Sequence, residues 1–392
     1  MQADVPATHR YPPRLEALTT VRFLAAVLVV AAHGSDRFGF APSIAWPYAF
    51  AGAVTFFFVL SGFVLAYNYA DLAGGAPLRR FYVLRFARVW PLHVAGIGIV
   101  LALMPPDSWV RPGLDPTLAA VLVVTLTQAW FVLIAGYAGA FNPPSWTLSV
   151  DAFFYLVFPW LLARMRTAPR RTLSLAFAVS IACPLVATVL GPLNRGDPVT
   201  SWNWYMLDRT FPLARLAEFA LGMALARILP RVSAALPSSR SAASALEAGV
   251  LVAVGFAMAS MHRVLDLAPW LGPAIPDWLG QVGLAPLCAV AILVLAHGRG
   301  TVVAVLSSRA AVHLGNLGFA MYIVHLPFLT LDVWPRLVEA VGRWPAVAVF
   351  ALALLAVAHL LYRFVEVPAR RAIVRAYERR NAAARAAALP TS

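Results

Sequence analysis

The chain has 392 residues, 61% of them hydrophobic and only 12% charged. A soluble domain carries about 25% charged residues, so this chain lacks the polar surface to stay in water and reads as an integral membrane protein. All 31 basic residues are arginine against 17 acidic ones, a net charge of +14, which in an apolar chain marks topology against anionic lipid rather than a nucleic-acid partner.

Eleven apolar segments follow one another at residues 17–34, 48–70, 89–105, 117–138, 146–163, 172–190, 210–229, 247–262, 279–297, 312–332 and 345–365. Each is near the length of about 20 residues that a helix needs to cross the hydrocarbon. The first run is too long for a cleavable signal and is read as a retained span. Arginines before the first segment and after the second, fifth, seventh, ninth and eleventh all belong on the cytoplasmic side. Between Arg88 and Arg164 the number of crossings must then be even, although three segments intervene. The segment 89–105, closed in by Pro91, Pro105 and Pro106, is the expected re-entrant or interfacial one. The predicted fold is therefore an all-α polytopic membrane protein with about ten transmembrane helices, one short or re-entrant segment, and both termini cytoplasmic. Residues 1–16 form a cytoplasmic lead, 17–366 one membrane domain, and 367–392 a basic cytoplasmic tail.

Ionisable side chains inside a bilayer are costly, and each one is a functional hypothesis. Arg22 and His33 stand eleven positions apart in the first span, three helical turns and roughly 16 Å, and so share one face. Histidine suits acid–base work near neutrality; its bland alternative is a packing hydrogen bond between helices. Ser61 and Gly62 sit at the centre of the second span, where small residues ordinarily serve close helix packing. Arg85 and Arg88, i and i+3 on one helix face, join Arg79 and Arg80 at the inner surface, either as anchors or as a clamp for phosphate.

Asp151 is the single acid of the fifth span. At a depth comparable with His33 it is placed to orient that ring, the alternative being an ion pair with a membrane arginine. Arg215 and Glu218 read as a satisfied i, i+3 pair. His325 lies in the outer half of the tenth span, as packing or as a substrate contact, and Glu366 closes the last span beside Arg363 and Arg370. His93, His297, His313 and His359 lie near span ends and receive no role. Cys183 and Cys288 fall in separate apolar segments, which indicates neither a disulfide framework nor a metal site.

In sequence order these motifs resemble the membrane acyltransferase 3 family. They are Arg22 and, after ten intervening residues, His33; Phe57, Phe58, Ser61, Gly62 and Phe63; Arg85, Arg88, Trp90 and Pro91; Trp146 to Asp151 with Phe154, Tyr155 and Pro159; Arg215, Glu218, Phe219 and Gly222; Gly315, Tyr322 and His325; and Glu366 with Pro368. Asp151 stands where the family usually has Glu, and Gly318 with Phe319 replaces a usual Ser-Tyr. The resemblance implies an O-acyltransferase of the plasma (inner) membrane, here without the SGNH hydrolase-like domain that some members carry. It would move an acyl group, commonly acetyl, from acyl-CoA to a hydroxyl on a glycan, a lipid-linked saccharide or a small metabolite such as a macrolide. Acyl-CoA is then a co-substrate, with no other cofactor, no metal and no nucleic acid, and membrane lipids as surroundings. His33 and Asp151 are the expected catalytic pair. Arg22, Arg80, Arg85 and Arg88 are the expected acyl-CoA contacts, and Ser61, Gly62, Arg215, Glu218, Tyr322 and His325 are channel or structural residues. A secondary transporter or flippase is the rival from another class, since intramembrane His, Asp and Arg also mark proton relays; no internal repeat supports it.

Overall fold

The computed structural model describes residues 13–40, 45–72, 74–190, 206–266 and 274–387. Among them every regular element is helical. In chain order the α-helices are α1 (Pro13–Gly34), α2 (Ala45–Asn68), α3 (Ala76–Leu103), α4 (Pro116–Val124), α5 (Trp146–Thr167), α6 (Pro169–Leu190), α7 (Leu216–Ala235), α8 (Arg240–Asp266), α9 (Ala274–Val282), α10 (Ala285–His297), α11 (Thr301–Leu306), α12 (Arg309–Leu329), α13 (Val333–Val341), α14 (Arg343–Leu361) and α15 (Val367–Ala387). Nine stretches of the described residues are long and apolar enough to cross a membrane: α1, α2, α3, α5, α6, α8, α9 with α10, α12, and α14 continuing into α15. The chain is thus an all-α, multi-pass membrane protein. Helix α7, with 20 residues, is long enough to span as well; Glu218, Arg227 and Arg231 lower its apolarity. Residues 210–215, at the start of the segment expected to hold this span, lie before it as turns and irregular chain.

The segment that breaks is not the expected one. Residues 89–103 continue the arginine-bearing helix α3 through Pro91 without interruption, so 89–105 is no re-entrant loop. The stretch 117–138 fails instead: α4 stops at Val124, Leu126 adopts a left-handed conformation (φ 58°), and 3₁₀ turns follow from Val132. Backbone freed from a helix at membrane depth must be satisfied inside the protein. Here Trp90 donates to the Val124 carbonyl at 3.1 Å, His93 bonds the Val123 carbonyl at 2.8 Å, and Ser149 donates to the Leu126 carbonyl at 2.8 Å while accepting from Ala129 N–H. His93 therefore has a structural task that its position in the sequence did not suggest.

The most enclosed helices are α2, 78% buried in its apolar window, α9–α10 and α12; α8 and α14–α15, at 22%, lie outside them. Helix α1 runs parallel to α12, with Thr19 beside Gly315, Phe23 beside Gly318 and Gly34 beside Leu329. Helix α2 packs most extensively on α7. There a β-carbon on Gly62 would run into the Phe219 carbonyl, and one on Gly222 into the Val59 carbonyl. The span-centre glycine is thus a packing residue. Helix α15 packs along α3.

Candidate active site

Parallel packing of α1 on α12 brings two histidines together. His33 Nδ1 lies 3.0 Å from His325 Nε2, and His325 Nδ1 lies 2.6 Å from the Tyr322 carbonyl. A carbonyl oxygen only accepts, so His325 Nδ1 carries a hydrogen. With both rings neutral, His325 Nε2 is then an acceptor and His33 Nδ1 the donor. That leaves the remaining nitrogen of His33, Nε2, with a lone pair. His325 is fully buried, whereas His33 lines an open cleft of about 250 Å³. One partly buried base is thus set in tautomer by a fully buried partner, the role that a carboxylate fills in a Ser-His-Asp triad. Phe50 meets the His33 ring edge-on at 5.0 Å, and Tyr322 is anchored by Thr147 Oγ1 at 3.1 Å and the Pro144 carbonyl at 3.2 Å.

Asp151 is not the partner of His33. Its Oδ1 accepts from Ser61 at 3.1 Å, and its charge faces Arg22 and Arg85. The reason is helical: Thr147 already reaches Tyr322 beside His325, and Asp151, four residues on, lies one turn, about 6 Å, farther along the same face. The expected catalytic pair therefore divides into two centres. Arg85 donates to the Tyr69 hydroxyl at 3.2 Å and stacks on the rings of Tyr69, Phe81 and Tyr155. Arg88 pairs with Glu366 and lies 5.2 Å from the Phe319 ring centroid. Arg80 is farther out, 3.6 Å from Glu378 and on the wall of a surface cleft formed with residues 67–72. Arginines thus run from the surface at Arg80 inward through Arg85 and Arg88 to Arg22.

Glu366 is the last residue of the π-helical turn Tyr362–Glu366 that joins α14 to α15, and it pairs with Arg88. Its carboxylate is buried and the guanidinium partly exposed. Removing one partner of such a pair strands the other. Glu366→Ala is expected to lower stability by about 3 kcal/mol, and Glu366→Gln by less, read as thermal unfolding in lipid nanodiscs; equal stability of all three proteins would deny the pair any structural weight.

Arg215 and Glu218 are fully buried and bond at 2.7 Å, as the i, i+3 spacing implied. Arg215 also donates to Thr55 at 3.2 Å and to Gln281 Oε1. Gln281 lines the His33 cleft together with Trp146, Arg209 and Asp277. Arg209 holds Asp277 through two hydrogen bonds of 2.6 Å. Sequence gives these three polar residues no role: Arg209 and Asp277 fall between the apolar segments, and Gln281 is a single polar residue inside the segment 279–297.

Asp208, outside the spans, is buried beside Asp277. Burial first, and then the charge and hydrogen bond of Asp277, push its carboxyl up to about 8, while Arg209 pulls the other way; Cys183 faces it from α6. A raised carboxyl favours the folded state while protonated, so this contribution is lost as pH rises from about 4 towards about 8. Thermal stability should fall over that window, and Asp208→Asn should flatten the fall.

Buried titratable groups around a cleft inside a helical membrane bundle are what an intramembrane enzyme or a transporter would present. The chain belongs to the acyltransferase 3 family: the family model described as "Acyltransferase domain" matches residues 15–363. It is an acyltransferase. Among its relatives is Acyltransferase MdmB of Streptomyces mycarofaciens, 30% identical over 93% of this chain and 94% of that protein. Peptidoglycan O-acetyltransferase OatA of Listeria monocytogenes is 23% identical over 93% of this chain and 56% of its own length. Putative peptidoglycan O-acetyltransferase YrhL of Bacillus subtilis is 25% identical over 95% and 57%. The chain spans little more than half of these last two. No solved structure matches it.

Proposed function

We propose that the protein is an O-acyltransferase of the bacterial plasma membrane that moves an acyl group, acetyl by preference, from cytoplasmic acyl-CoA to a hydroxyl of a glycan or lipid-linked saccharide. The observation that carries this reading is the hydrogen-bond chain from the Tyr322 carbonyl through His325 to His33, ending on a cleft. His33 Nε2 takes the proton of the acceptor hydroxyl as its oxygen forms a bond to the thioester carbon. When the tetrahedral intermediate collapses, the carbon–sulfur bond breaks and the imidazolium of His33 returns the proton to the CoA thiolate. His33 Nδ1–H keeps its bond to His325 throughout, so the passing positive charge is met by a neutral ring that donates onward to a carbonyl.

The donor is polyanionic, and guanidinium groups bind phosphate bidentately. Arg80, Arg85 and Arg88 suit its phosphates, and the slim thioester arm then extends past Arg22 towards His33. Asp151 would hold Arg22 and Arg85 in place rather than act on His33. The peptidoglycan O-acetyltransferases among the relatives favour a glycan acceptor.

The test is acyl-CoA-dependent release of free CoA by the purified chain in lipid nanodiscs, supplied with acetyl-CoA and a cell-envelope extract. Release that requires both supports transfer. Uptake of a labelled solute into proteoliposomes with no CoA release would move the chain to the transporters.

A further inference from the structure

We propose that α9 and Arg209 form the acceptor subsite of this enzyme, built to hold the neighbouring hydroxyls of a sugar ring over His33, with Gln281 as its fixed hydrogen-bond donor. This rests on the acyl-transfer reading above and adds the residues that select the acceptor. Asp277 and Gln281 are four positions apart on α9 and therefore on one face; both line the cleft that holds His33.

The orientation of the Gln281 amide follows from its surroundings. Arg215 is buried completely and has only donors, so the side-chain oxygen of Gln281 must face it, as it does. The amide nitrogen is thereby turned the other way. One of its hydrogens reaches the Asp277 carbonyl at 3.3 Å, and an amide has two. The second is left for the cleft. Thr55 Oγ1 pins the same residue through its backbone carbonyl at 2.7 Å. The buried Arg215–Glu218–Thr55 network thus acquires a purpose beyond packing: it prevents Gln281 from flipping and keeps a donor, never an acceptor, on the cleft wall.

The rest of the wall supplies the complement. Asp277 takes two bonds from Arg209 and one from the buried Asp208, and a carboxylate accepts at about four sites, so an acceptor position is left for the cleft. An amide donor and a carboxylate acceptor one helical turn apart suit two adjacent hydroxyls. Trp146 and Phe50 also line the cleft and offer aromatic surface to the C–H face of a ring. The fit is to a neutral, polyhydroxylated ring.

The experiment uses the full-length chain in nanodiscs with acetyl-CoA, and as acceptors the methyl glycosides of glucose, galactose, mannose and N-acetylglucosamine, with envelope extract as a parallel arm. Wild type is expected to acylate at least one glycoside. Gln281→Leu is expected to raise the KM for that glycoside about tenfold or more, the cost of one good hydrogen bond, with the KM for acetyl-CoA unchanged; an unchanged donor KM also shows that the fold stands. Gln281→Glu keeps the oxygen towards Arg215 and loses the donor, so its acceptor KM should rise as well. An acceptor KM equal to wild type in both variants overturns the subsite. Acylation of material in the extract but of no glycoside overturns its sugar chemistry. Absence of CoA release in either arm removes the acyl-transfer reading itself, and this inference with it.

Discussion

His33→Ala is expected to lower the turnover of acetyl-CoA by roughly a hundred- to ten-thousandfold, the usual contribution of a positioned general base, with little change in donor KM. The informative comparison is at His325, which never meets substrate. His325→Ala removes the acceptor for His33 Nδ1–H, so the His33 ring can turn or change tautomer and its lone pair is no longer fixed towards the cleft. In His325→Gln the side-chain oxygen lies near the place of Nε2 and can accept the same hydrogen bond, whereas His325→Asn reaches only the place of Nδ1. Gln should therefore recover much of the rate that Ala and Asn lose. A merely structural histidine would predict a different order, following volume rather than acceptor position. Steady-state kcat, with the pH profile of kcat/KM measured for all four proteins, decides between them. If Asn and Gln prove equivalent, the relay through His325 is wrong.

Much of the fold was legible because a bilayer enforces simple rules. Segment length gave the helices, and the arginine clusters correctly required that one of three segments between Arg88 and Arg164 should not cross. Shortness and flanking prolines point to 89–105, whereas the structure breaks 117–138. Pro91 is accommodated inside α3, while Thr125, Thr127 and Gln128 mark the stretch that leaves the helix; its carbonyls needed partners on α3 and α5 that no local pattern reveals. At the site, His33 and His325 are each visible as costly intramembrane groups, yet these residues lie 292 positions apart and their meeting depends on the register of α1 against α12. The expected match of His33 with Asp151 rested on equal depth. The structure places Thr147 at that depth and Asp151 a turn beyond, among the arginines. The wall of α9 was hidden for a different reason, since Asp277 and Gln281 acquire meaning only from Arg209 and Arg215 on a distant segment.

The second large effect belongs to the contact of α2 with α7. Helix association within lipid draws little from the hydrophobic effect and depends on close van der Waals approach, which small residues permit. At Gly62 the approach is closer than any side chain allows, because a β-carbon would meet the Phe219 carbonyl, which is backbone and cannot rotate away; Gly222 faces the Val59 carbonyl in the same manner. Gly62→Ala and Gly222→Ala should each cost about 3 kcal/mol or more, at the upper end of overpacking effects, measured as unfolding in nanodiscs. Both should also reduce transfer, since parting α2 from α7 displaces Ser61 from Asp151 and Thr55 from Arg215. Gly98, exposed on α3 with nothing near its missing β-carbon, is the control: Gly98→Ala removes a poor helix former and should be neutral or slightly stabilising. Three alanine variants of equal stability would mean that the two helices are not in such contact, and the placement of Ser61 against Asp151 would lose its support.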